Sequence, residues 1–284
     1  MKKIIIVIFF CVLFYAAGQV CQAGREYCPK TTCQKASPKT VCPKAGRDRP
    51  QDKQAAEENP LDKILTKLHG RTAELTSYQA GIKYLLIRDP VMLDSRTLRK
   101  GRLYYLKDKE RSNLRINFEM FKQDDEEEQK QRKEFIFDGV WLVNIDYQFE
   151  RIDYTQLAPK KKPEDVFELL GRNFPIIGFS KTWKLPEQFE ITLIEAQPRD
   201  PNNLIHLHLE AKKGIKYKND YKMVDFWIDN ATFLPARIVA EANEGDIYDI
   251  QFLESKVNKK LKKCIFKVET PEHFSKNVKP LSKR

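Results

Sequence analysis

From Ser77 onward the chain keeps returning to one pattern, apolar and polar side chains alternating at every second residue. Tyr78, Ala80, Ile82, Tyr84 and Leu86 alternate with Gln79, Lys83 and Arg88. Successive side chains of a strand point to opposite faces, so this pattern makes a strand with one buried face. It recurs at Arg99–Leu106, with Gly101, Leu103 and Tyr105 on one side, and again in Leu114, Ile116, Phe118 and Met120. Phe135 and Phe137 precede Asp138-Gly139, a strong hairpin signal. Trp141, Val143 and Ile145 are expected to continue the face of Phe135 and Phe137 beyond that turn. Further strands are predicted at Phe149–Gln156, Phe189–Ile194, Leu204–Lys212, Lys222–Asp229, Leu234–Glu241 and Ile247–Leu253. About ten to eleven strands with few helices predict an α+β, mainly β fold. Sequential antiparallel pairing would make an incomplete antiparallel β-barrel, a strongly curved half-barrel sheet with helices covering its concave face.

The helices are short. Asn59-Pro60 opens the first, and Leu61, Ile64, Leu65, Leu68 and Leu75 recur at helical spacing along one stripe. Asp165 caps a second, Val166–Leu170, which Gly171 ends. Lys122–Lys133 reads as a charged hairpin tip, and NFPIIGFSKTWKLPEQF carries apolar residues without a clean period.

The first residues belong to a different physical regime. MKK followed by the apolar run Ile4–Gly18 predicts a signal peptide for residues 1–23, cleaved near Ala23. The alternatives are an uncleaved membrane anchor and lipidation at Cys21. Residues 24–60 are rich in Lys, Pro, Thr, Gln and Ala and read as a linker, disordered or pinned by disulfides. Four cysteines follow the predicted cut, Cys28, Cys33, Cys42 and Cys264. In an exported chain they are disulfide candidates, with three connectivities open.

The net charge of +11 invites a nucleic-acid reading, but its distribution excludes that. Residues 256–284 carry +8 while Leu61–Ser255 carries −2. The main domain is placed at 61–274, with a basic tail at 275–284 suited to an acidic partner or a membrane surface.

His206, His208 and Glu210 share one face of a strand and could hold a metal. Alternation with Ile205, Leu207 and Leu209 explains them equally as a solvent face, so no metal and no cofactor is expected. No Gly-x-Ser-x-Gly and no phosphate-cradling glycine loop occurs, and the chain is not read as an enzyme. What remains is the apolar series Tyr84, Leu103, Tyr105, Ile116, Phe118, Phe135, Phe137, Trp141, Val143, Ile145, Phe226 and Ile228, expected to share a concave surface. It is either an ordinary core or the lining of a space kept for an apolar ligand.

The order of these features resembles the LolA-type outer-membrane lipoprotein carriers. The resemblance lies in an amphipathic helix, then ELTSYQAGIKYLL, GRLYYL, LRINFEM, FDGVWLVNIDYQFERIDY, the helix VFELLGRNF and the closing FKVETPEHF. It implies a half-barrel whose concave face holds the acyl chains of lipids or lipoproteins under helical lids, with Val166, Leu169 and Leu170 on the lid. It also implies periplasmic location and transport between an inner-membrane release complex and an outer-membrane acceptor. Many carriers have Arg-Pro just after the strand matching GRLYYL, and that Arg closes the lid. Here Leu106-Lys107-Asp108 stands there, so Lys107 and Arg115 are the candidate gate residues. The alternative is an interaction module of the same fold with a filled core, binding an acidic partner through its Lys-rich end.

Overall fold

The computed structural model describes residues 59–108, 111–167, 176, 178–195, 203–215 and 220–281. All lie in one compact unit, Glu58–Arg284. The predicted signal peptide and linker, Cys28, Cys33 and Cys42, and the lid residues Leu169 and Leu170 lie outside the described residues.

Helix α1 spans Pro60–Ala73. The Asn59 carboxamide accepts the Leu61 N–H at 3.1 Å, and Pro60 occupies the first turn, where no donor is needed. Among the described residues twelve strands follow in one open sheet: β1 Ser77–Arg88, β2 Ser95–Asp108, β3 Arg111–Gln123, β4 Gln129–Phe137, β5 Trp141–Asp146, β6 Arg151–Gln156, β7 Phe189–Ile194, β8 Leu204–Ala211, β9 Tyr221–Asp229, β10 Pro235–Ala242, β11 Ile247–Val257 and β12 Ser275–Lys279. Their order is β12-β6-β5-β4-β3-β2-β1-β11-β10-β9-β8-β7, so the sheet is a curved half-barrel with edges at β12 and β7. The expected fold class is observed, with one strand more than the alternation showed.

Three differences have physical causes. The charged segment Lys122–Lys133 is mostly strand, because β3 and β4 stay paired out to Phe121 opposite Gln129. Ladder bonds use backbone groups and are indifferent to exposed charge. Tight packing also bends a strand: β2 shifts register between Lys100 and Gly101, where a Cβ would meet the Asn117 carbonyl oxygen at 1.8 Å.

The third difference is β12, inside the segment read as a basic tail. It pairs in parallel with β6. A parallel partner needs a crossover, and here that is a strap over the outer face. The strap leaves β11 at Asn258, whose Oδ1 accepts the Thr76 and Ser77 N–H groups at 2.8 and 3.3 Å. It passes β1 to β5 and docks Phe274 into a second apolar cluster with Ile136, Val143, Ile145 and Ile152.

Glu134, fully buried, anchors that outer face. Its carboxylate receives Arg115 at 2.5 Å and Arg132 at 2.7 Å. Arg115 also donates to the strap carbonyls of Ile265 and Lys267 at 2.6 and 3.2 Å. Removing one partner of a buried ion pair leaves a desolvated charge. Arg115→Met is expected to cost about 3 kcal/mol in urea unfolding and to expose the strap at Lys259–Lys263 to trypsin. A loss well under 1 kcal/mol with an unchanged digest would show that Arg115 does not hold the strap.

Candidate functional site

The inner face of the sheet carries the main apolar cluster. Tyr84, Leu103, Tyr105, Ile116, Phe118, Phe135, Phe137, Phe226 and Ile228 all belong to it. Burial pushes the Tyr84 and Tyr105 hydroxyls above their usual range.

Val143 and Ile145 do not join them, which corrects the sequence reading. Phe137 pairs with Leu142 and Ile136 with Val143. Opposite residues of an antiparallel pair share a face, so the face of Phe135 and Phe137 continues through Leu142. Leu142 packs against the main cluster, while Val143 and Ile145 pack under the strap. Trp141 shares their parity and is half-buried. The Asp138 carboxylate shapes the turn by accepting the Val140 and Trp141 N–H groups at 2.9 and 2.7 Å.

The gate candidates also separate. Arg115 lies on the outer face, bound to Glu134 and the strap, and is not a gate residue. Lys107 sits at one end of the inner face, opposite Ser112. Val166 is buried in the main cluster, its N–H bonded to the Ser112 hydroxyl at 2.9 Å.

The cover over the inner face is built from short pieces. One is the apolar stripe of α1: Leu61, Ile64, Leu65 and Leu68. The others are Val166 and Phe167, then Ile176, Phe179 and Leu185. Phe179 lies at the centre. Its ring stacks on Phe167 at 4.7 Å and meets Tyr78 and Phe252 edge-on at 5.2 and 5.1 Å. No periodicity marked Phe179, since it sits in an irregular segment; the only sequence signal was Gly178 beside it. Gly178 adopts φ +83, and a Cβ there would meet the Phe226 ring at 2.3 Å. Where α1 meets the turn Thr182–Lys184, the Thr72 and Thr182 hydroxyls bond each other at 2.9 Å, both buried.

The two ends of the inner face differ. At the end near Leu86, Lys133 and Asp146 pair at 3.2 Å. Arg99 donates to Gln131 at 3.0 Å and packs on Phe121. Burial lowers the Lys133 ammonium from its ordinary range, with Asp146 opposing. At the other end a cleft of about 340 Å³ opens between α1, the β2–β3 end and the Phe179–Trp183 segment. Tyr105 and Phe179 reach it from the core, and Trp183 borders it half-exposed.

His206 and His208 lie on the outer face and share one oxygen of Asp225, each at 2.9 Å. His206 stacks on Trp227 at 4.2 Å. Glu210 is 3.6 Å from His208 and exposed. No cluster of three metal-ligating side chains occurs among the described residues. Cys264 is exposed and has no disulfide partner among the described residues.

An open, strongly curved sheet with a covered apolar face defines a half-barrel α+β fold. Solved structures similar to this chain include LolA superfamily and lipoprotein-sorting proteins. An uncharacterized conserved protein from Thermus thermophilus matches at 15% identity and TM-score 0.45, over 78% of this chain and 100% of that one. MucB, solved with MucA from Pseudomonas aeruginosa, matches at 12% identity and TM-score 0.40, over 73% of this chain. This chain spans 60% of that MucB chain. A LolA superfamily protein from Nitrosomonas europaea matches at 14% and TM-score 0.34, over 73% and 97% of the two chains. No family model and no curated protein matches the sequence.

Gly178→Ala is expected to destabilise the fold by about 2 kcal/mol or more, combining a ring clash with left-handed backbone strain. Thermal unfolding measures it. An unchanged midpoint would mean that the cover does not press on Phe226 in solution.

Proposed function

We propose that this chain is an exported, non-catalytic carrier that holds lipid or lipoprotein acyl chains between the inner face and its cover. What supports it is the construction of that cover: among the described residues, an apolar face spanning most of the sheet is roofed by α1 and short segments. Phe167 and Phe179 occupy the space from the cover side, and rotating or lifting them frees it. Each buried methylene contributes about 0.8 kcal/mol, so a 16-carbon chain favours leaving water by roughly 13 kcal/mol. A membrane offers the same gain, so the carrier must be loaded and unloaded by partners at two membranes. The mature protein is periplasmic on this reading, starting near Gly24 with its cysteines in an oxidising compartment.

A second reading, an interaction module with a permanently filled core, draws on the same side chains. Leu103 and Phe226 are 0% exposed with the cover closed. The full chain, purified without detergent, is expected to show a stoichiometric acyl-bearing species in native mass spectrometry and organic extraction. A clean apo mass with no uptake of a fluorescent fatty acid by folded protein would favour the filled core.

Phe179→Ala separates the two further. It is expected to lower stability by about 3–5 kcal/mol yet tighten acyl binding, because it empties the space the ligand needs. His206→Ala, on the outer face, should leave binding unchanged. A Phe179→Ala protein that is folded but binds no acyl probe would count against the cavity.

A further inference from the structure

An acyl chain lying along the inner face ends in a polar group, and the inference here rests on the acyl reading. That polar group has to meet solvent at one end of the face. The end near Leu86 is closed by the protein's own charges, Lys133 on Asp146 and Arg99 beside them. At the other end a cleft opens to water with buried Tyr105 and Phe179 at its floor.

Basic side chains border that floor from both sides, with one carboxylate among them. Lys107 and Arg111 come from the β2–β3 end, and Lys181 and His69 face them from the cover and α1. Neither Lys107 nor Arg111 forms an ion pair with any described residue. The carboxylate lining the cleft, Asp165, is already engaged. It accepts the Phe167 N–H at 3.0 Å and the Tyr105 hydroxyl bonds to it. Lys181 adopts φ +46, a left-handed turn that sends Thr182 into the core while Lys181 stays exposed at the cleft. A built rim of cations around an apolar floor has the polarity of an anionic amphiphile, headgroup outward and chain inward.

The geometry points to a phosphate-binding subsite at this cleft, formed by Lys107, Arg111 and Lys181, that selects acyl ligands carrying a phosphate headgroup. Arg111 offers the planar fork that matches phosphate oxygens, and the lysines add point charges.

The test uses the full chain and two fluorescent probes with the same 16-carbon chain, one ending in phosphate and one in uncharged glycerol. The wild type is expected to bind the phosphate probe about tenfold more tightly, with the preference shrinking as salt rises. Lys107→Glu with Arg111→Glu should erase the preference while leaving uptake of the uncharged probe intact, and Lys107→Arg should retain it. Equal affinity for both probes in the wild type, or a preference that survives the double variant in folded protein, overturns the subsite and leaves the acyl reading standing. No uptake of either probe by folded protein removes the acyl reading itself. Inorganic phosphate supplies the last arm. Competition with the phosphate probe alone supports a site for the free ion as well as the headgroup; absence of competition supports a site that the chain must deliver the headgroup to.

Discussion

Apolar side chains from β1 to β5 and from β7 to β11 converge on one face, and that face has to be kept from water. A closed barrel would hide it by itself. This sheet stays open at β7 and β12, so the task falls to pieces that do not belong to the sheet. The stripe of α1, the Val166–Phe167 pair and the Ile176–Leu185 segment divide it between them. Burying this surface is the main favourable contribution to the fold. The cover is also separable from what it covers. It contributes side chains to the core but no strand to the ladder. Within the cover, Thr182 meets α1 through the Thr72 hydroxyl at 2.9 Å and His69 Nδ1 at 3.4 Å, each hydrogen bond worth about 1 kcal/mol. The proposed carrier function requires this arrangement, because the aromatic filling would be exchanged for another apolar body without unpairing a strand.

The outer face is organised on the opposite logic. Polar partners there are many and specific. Arg237 reaches Asp249 through two bonds at 3.0 and 2.7 Å, and the two histidines converge on Asp225. Glu134 gathers two arginines, one of which carries the strap. The strap ties α1, through Asn258, to the far edge of the sheet, through β12. Directional bonds of this kind tolerate little movement, and they hold the outer face. The exposed tip Val91–Leu93 is likewise fixed from below, since the Asp89 carboxylate accepts the Val91 and Met92 N–H groups.

Much of this architecture could be read from residue order. Alternation located eleven of the strands, because a half-buried strand leaves a period of two whatever surrounds it, though β4 starts at Gln129, within the segment read as a charged tip. Asn59-Pro60 and the leucine stripe located α1 for equally local reasons. The nine residues Tyr84, Leu103, Tyr105, Ile116, Phe118, Phe135, Phe137, Phe226 and Ile228 were legible as one face for the same reason.

Alternation holds only within a strand, however. Across the Asp138-Gly139 turn, parity depends on which residues end up opposite, and pairing Phe137 with Leu142 moved Val143 and Ile145 to the other side. Arg115 looked like a gate because of its place in the chain; its face and the buried Glu134 made it an anchor. Phe179 left no periodic trace, because an irregular segment owes its position to what it packs against. The last strand was hidden among lysines, since it is held against β6, on the far side of the sheet from the β11 it follows in the chain. Local chemistry in the sequence determined which segments are strands, which are helical and which face of each is apolar. The tertiary structure alone decided which faces meet, what covers them and where the interior reaches water, because those depend on register and on contacts between residues far apart in the chain.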